Sequence, residues 1–60
     1  MRNVSVGQRV RIVGGLRWGL NGVVVDVRQS LLPPIVTVNV RLDGGERVET
    51  ELASNLKELT

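Results

Sequence analysis

Sixty residues with eight basic and six acidic side chains, a formal net charge of +2, amount to one small domain, and a chain of this length buries only about 60% of its unfolded surface, so its core must be compact. There is no cysteine and no histidine, which excludes disulfides, thiolate or imidazole metal sites, and the ordinary acid–base shuttles and nucleophile dyads of catalysis. No run approaches the ~20 apolar residues of a membrane span, and Met1-Arg2-Asn3-Val4 has no apolar signal core; the expectation is a soluble, cytoplasmic, non-catalytic protein with no cofactor, metal or small-molecule substrate.

The apolar residues are skewed toward strand formers: twelve valines, eight leucines and two isoleucines against one alanine. Branching at Cβ restricts χ1 and suits pleated strands better than helices. Charge is unevenly spread. Residues 1–30 carry five arginines against Asp26, a balance of +4, and residues 31–60 carry three bases and five acids, a balance of −2. A basic face able to meet an anion follows from that asymmetry.

Along the chain, Val4 to Val6 reads as an extended lead-in and Gly7 as a turn. Gln8 to Val13 alternates, with Val10 and Ile12 on one face and Arg9 and Arg11 on the other, which predicts a half-buried strand. Gly14 to Gly22 holds four glycines in nine residues, the composition of a tight, structured loop. Val23 to Arg28 predicts a second strand, its consecutive valines indicating a bulge or bend. Gln29 to Pro34 breaks the pattern and reads as a loop or strand edge, because paired prolines cannot donate to a ladder. Ile35 to Leu42 is the clearest strand, with Val36, Val38, Val40 and Leu42 inward and Thr37, Asn39 and Arg41 outward. Asp43-Gly44-Gly45-Glu46 signals a hairpin. The returning strand is read with Val48, Thr50 and Leu52 inward and Arg47, Glu49 and Glu51 outward, the acids being solvated surface. Ala53 to Leu59 fits a short 3₁₀ turn followed by a last strand, Leu56 and Leu59 plugging the interior. Five short strands joined mostly by short turns predict a small all-β barrel, since closure removes exposed edges.

The run from Val10 through Ile12, Gly15, Gly19 and Gly22 to Val24 resembles the KOW motif, V-x-V-x-x-G-x-x-x-G-x-x-G-x-V, with every fixed position filled and Ile12 at the second aliphatic one. Val6-Gly7-Gln8-Arg9 resembles the segment that leads into that motif. The resemblance covers residues 6–27, and the later hairpin and Asn55-Leu56 are similar to the rest of such a domain. It implies an SH3-like barrel of five strands, and it implies binding: KOW domains occur in ribosomal proteins that bind RNA and in transcription elongation factors, where they also bind protein. It implies further that the loop Gly15–Gly22 and the neighbouring strand ends form the contact surface. The same glycines also serve the backbone alone, whatever the partner.

Two groups of candidate contact residues follow. For RNA or a ribonucleoprotein they are Arg9, Arg11, Arg17, Trp18 and Arg28, the arginines pairing with phosphate and the only aromatic stacking on a base. The alternative readings are arginines paired with Glu49 and Glu51 across the barrel, and an indole folded over the core. For a protein partner they are Leu31, Leu32, Pro33, Pro34 and Ile35, an apolar run that is either an exposed docking patch or a plug folded back over one end of the barrel. A protein-interaction subunit of a larger complex, such as a peripheral subunit of an electron-transfer complex, and a partnerless engineered scaffold are the alternatives to the RNA reading. An SH3-type peptide receptor is disfavoured, because its proline-binding groove needs several aromatics. Clustering of Arg9, Arg11, Arg17 and Arg28 around an exposed Trp18 favours nucleic acid; an exposed patch at Leu31–Ile35 favours protein.

Overall fold

The computed structural model describes residues 3–31 and 33–59. The strands are β1 (Arg9–Ile12), β2 (Asn21–Leu31), β3 (Pro34–Leu42), β4 (Val48–Leu52) and β5 (Leu56–Glu58), with a 3₁₀ turn at Ala53–Asn55 between the last two. They form one antiparallel sheet of order β4-β3-β2-β1-β5. The all-β class, the five strands and the 3₁₀ turn are those read from the sequence. The edge strands β4 and β5 share no ladder among the described residues, so the sheet is open, not a hydrogen-bonded closed barrel.

One face of the sheet makes the core. Val10 and Ile12 of β1, Val24 of β2, and Val38 and Val40 of β3 are fully buried, joined by Ala53 and Leu56 from the C-terminal turn and strand. Each such aliphatic side chain removed from water contributes about 1.5–3 kcal/mol. Val4, Val27, Val36 and Leu42 pack partly against this cluster. The alternation read for β1 and β3 is the one observed.

The consecutive valines do mark a bulge. Val24 pairs with Val40 and Asp26 with Asn39, leaving Val25 as the extra residue on β2. An extra residue shifts the side-chain phase by one. Gly22 and Val24 point to the core before it and Val27 after it, and Asp26 stays outside. The same strand runs on to Leu31, paired with Pro34. The loop expected over Gln29–Pro34 is instead the end of a hairpin, with Leu32 outside the described residues. Proline is accommodated because Pro34 is the first residue of β3, where a ladder donor is not required. Beyond Thr37 the β2–β3 ladder has no third strand among the described residues: β4 pairs only with Thr37–Arg41 and β1 only with Asn21–Val23. A two-stranded arm results, and the molecule measures 34 × 21 × 21 Å.

The phase read for β4 is inverted. Glu51 pairs with buried Val38 and Glu49 with buried Val40, so both glutamates share the core face, while Val48, Thr50 and Leu52 face outward. The turn sets this register. The Leu42 amide donates to the Arg47 carbonyl at 2.9 Å, which closes the hairpin over Asp43–Glu46 and brings Val48 opposite Arg41.

Gly22 is required by proximity. A Cβ there would lie 2.4 Å from the Arg41 carbonyl oxygen and 2.6 Å from Val40 Cγ1. Backbone cannot yield as a side-chain tip does, so Gly22→Ala is expected to destabilise the domain by about 1–3 kcal/mol, in the range of core overpacking. Chemical denaturation of the variant measures this, and Gly45→Ala, with open space around its Cβ position, is the matched control expected to stay within about 0.5 kcal/mol.

Candidate functional site

Strand register distributes the arginines before any partner is considered. Arg9 and Arg11 alternate with Val10 and Ile12 and so lie on the outward face of β1. Arg28, opposite Thr37, lies on the outward face of the arm. Arg9 is satisfied by Asp43: its two terminal nitrogens donate to the two carboxylate oxygens at 2.6 and 2.7 Å. Arg28 Nε donates to Asp26 at 3.0 Å. Arg11 Nε donates to Asn21 Oδ1 at 2.9 Å and has no acidic partner.

Arg17 goes elsewhere. It comes from the β1–β2 loop and reaches the core face of β4, with contacts of 2.8 Å to Glu49 and 3.4 Å to Glu51. The Glu51 side chain is only 8% exposed, and Arg47 also pairs with Glu49. Two carboxylates on alternate residues of one strand face repel each other, and Arg17 supplies positive charge between them. The expected pairing of arginines with Glu49 and Glu51 is therefore found for Arg17, not for Arg9, Arg11 or Arg28.

The glycine loop is pinned at its base. Ile12 N–H donates to the Leu20 carbonyl at 2.8 Å and Gly19 N–H to the Ile12 carbonyl at 2.7 Å. The reversal is made at Gly19, whose φ of +91° suits a residue without Cβ. The loop directs Arg17 inward and leaves Leu16 and Trp18 outside. Trp18 is 73% exposed, so the reading in which its indole folds over the core is corrected: the ring stands clear of it. The five residues proposed for nucleic acid do not form one patch. Arg9, Arg11 and Arg28 share the outward face, Arg17 faces the other way, and Trp18 stands on the loop.

The second group lies on the arm. Leu31 is 80% exposed, and Pro33, Pro34 and Ile35 are exposed beside it; Leu32 falls outside the described residues. The plug reading is corrected for the four described residues, because the arm continues past the core and carries them with it.

Two basic residues were not singled out from the sequence. Lys57 of β5 pairs directly with Arg11, and Arg41 of β3 pairs with Val23, the partner of Arg9. The outward face thus brings Arg9, Arg11, Arg41 and Lys57 into two adjacent rows. The available signal for Arg41 was its place between inward Val40 and Leu42; only strand order reveals that Lys57 joins it. Among the described residues there is no group of three or more histidine, cysteine, aspartate or glutamate side chains able to hold a metal ion, and no helix long and apolar enough to cross a membrane.

The hydrogen bonds from Arg9 lower the Asp43 pKa below its ordinary value; partial desolvation opposes this, and the charges of Arg9 and Arg41 add to the lowering. The same hydrogen bonds, with the charge of Asp43, raise Arg9. A depressed carboxylate contributes stability that is fully present above its unfolded value, about 3.9, and lost as pH falls through the folded value. The stability difference between wild type and Arg9→Gln, measured by denaturant midpoint, is expected to be constant near neutrality and to shrink as the pH falls below about 4.

Removing Arg17 leaves the largely buried Glu51 without its cation and Glu49 held by Arg47 alone. Arg17→Met is expected to cost about 1–3 kcal/mol, below the full buried-pair penalty because the arginine is partly solvated. A Glu49→Gln/Glu51→Gln background is expected to recover most of that loss in a double-mutant cycle.

The chain matches no protein-family model, no curated protein and no solved structure.

Proposed function

We propose that the chain is a non-catalytic protein-binding module, an SH3-like barrel of the KOW kind, that docks on a larger complex through the β2–β3 arm. The observation that carries this reading is the projection of Leu31, Pro33, Pro34 and Ile35 into solvent on a paired ribbon beyond the rest of the sheet. Exposed apolar side chains grouped on one element offer a partner area to bury. The β2–β3 ladder presents them together on one strand pair. The barrel reading is supported by the strand order, by the 3₁₀ turn linking β4 to β5, and by positive φ at the motif glycines Gly15 and Gly19.

A second reading, association with RNA or a ribonucleoprotein, is favoured by the exposed Trp18 and by Arg11, which has no acid to neutralise it. It is the weaker one, because Arg9, Arg17 and Arg28 are already ion-paired and do not share one face.

Site-specific photocrosslinking in living cells separates the two. A photoreactive residue at position 31 or 35 is expected to give discrete protein adducts. Leu31→Ser/Ile35→Ser should abolish co-purification of the captured protein without moving the thermal midpoint. Adducts to RNA from position 18, with none to protein from the arm, would overturn the proposal in favour of the second reading.

A further inference from the structure

We infer that the outward face of the sheet is a docking surface for an acidic protein segment, built from Arg11, Arg41 and Lys57 and bordered by Val48 and Leu52. It is distinct from the arm and holds whether or not the arm docks on anything.

Arg11 and Lys57 are direct cross-strand partners on β1 and β5. Side chains so placed have Cβ atoms about 5 Å apart, and like charges there destabilise the sheet. An acid on a neighbouring strand would relieve that cost. Among the described residues none does: Lys57 makes no side-chain hydrogen bond or ion pair, and Arg11 bonds only the Asn21 amide oxygen through Nε. That bond orients the guanidinium while leaving its terminal nitrogens to donate elsewhere. Arg41, two strands from β1, likewise makes no side-chain hydrogen bond or ion pair among the described residues, although its charge reaches the Asp43 carboxylate that Arg9 holds. Between them Arg9 is neutralised by Asp43. Three cations with no acidic partner of their own among the described residues thus span β5 to β3, about 15 Å at the usual strand spacing. A surface that keeps such repulsion is complementary to an anion.

The neighbours of these cations select the kind of anion. Arg41 pairs with Val48, and Leu52 lies further along the same strand on the same face, opposite Thr37. Both aliphatic side chains are close to half exposed. They give a polypeptide apolar area to bury beside its carboxylates, and arginine mixed with apolar residues is a composition of protein interfaces. A single-stranded nucleic acid needs a stacking platform instead. This face has no aromatic residue, because the only one, Trp18, belongs to the loop whose Arg17 turns to the opposite face.

Amide chemical-shift titration of the isotope-labelled chain tests the inference with three probes: a short glutamate peptide carrying leucine at every third position, poly-L-glutamate, and poly(U). The leucine-bearing peptide is expected to bind several-fold more tightly than the other two, to shift the amides of Arg11, Arg41, Val48 and Lys57, and to weaken with added salt. Arg11→Gln/Arg41→Gln/Lys57→Gln should reduce its affinity about tenfold, at a few tenths of a kcal/mol for each charge, while Leu31→Ser/Ile35→Ser leaves it unchanged. The single variant Lys57→Gln should raise the thermal midpoint, because it relieves the repulsion. Equal affinity for all three probes, tighter binding of poly(U), shifts confined to other residues, or no binding at low salt would each overturn the assignment. An effect of the arm variant on peptide binding would overturn it as well, by placing the binding on the arm.

Discussion

The fold turns on a link that is too short for a flat sheet. β4 and β5 are the two edges, yet only Ala53–Asn55 separates them in the chain. Four inter-strand gaps would place those edges about 19 Å apart, whereas three residues of 3₁₀ helix advance about 6 Å. The sheet therefore curls, and the face that carries Val10, Ile12, Val24, Val38 and Val40 becomes the core. That interior is narrow, which is why valine fills so much of it and why Gly22 can touch the Arg41 backbone. The bulge at Val25 adds local twist where the longest strand has to bend. Curling also brings the β1–β2 loop over β4, close enough for Arg17 to meet Glu49 and Glu51.

Much of this was legible from alternation. The faces of β1 and β3, the irregularity at the consecutive valines and the 3₁₀ turn before Leu56 all follow from local pattern. β4 was misread for an instructive reason. Val48, Thr50 and Leu52 form the more apolar set, so a local rule turns them inward; what places Glu49 and Glu51 inside is an arginine from a distant loop and a turn that fixes register. Alternation cannot see either. The arm was hidden by a sound rule applied one residue too broadly: prolines end ladders, but the first residue of a strand needs no donor. The candidate arginines were correctly placed on strands and loop, yet their pairing with Asp43, Asp26 and the β4 acids depends on which strands become neighbours.

The two faces of the sheet therefore treat charge in opposite ways. On the core side, acids are drawn in and neutralised by Arg17 and Arg47. On the outward side, bases accumulate faster than acids. A net charge of only +2 conceals this segregation. The separation arises from the inverted phase of β4, since a one-residue shift of that strand would turn its glutamates outward and neutralise the basic face from within.

The arm gives the molecule an internal gradient of protection. Near Gly22–Val24 the β2–β3 ladder is flanked by β1 and β4 and backed by fully buried valines; toward Leu31 and Pro34 both flanks are bare and the side chains are solvated. A two-stranded ribbon in water holds itself only marginally. The end of the longest strand thus lies outside the packed interior, on two strands bonded to each other, and it carries the apolar side chains that the core does not use.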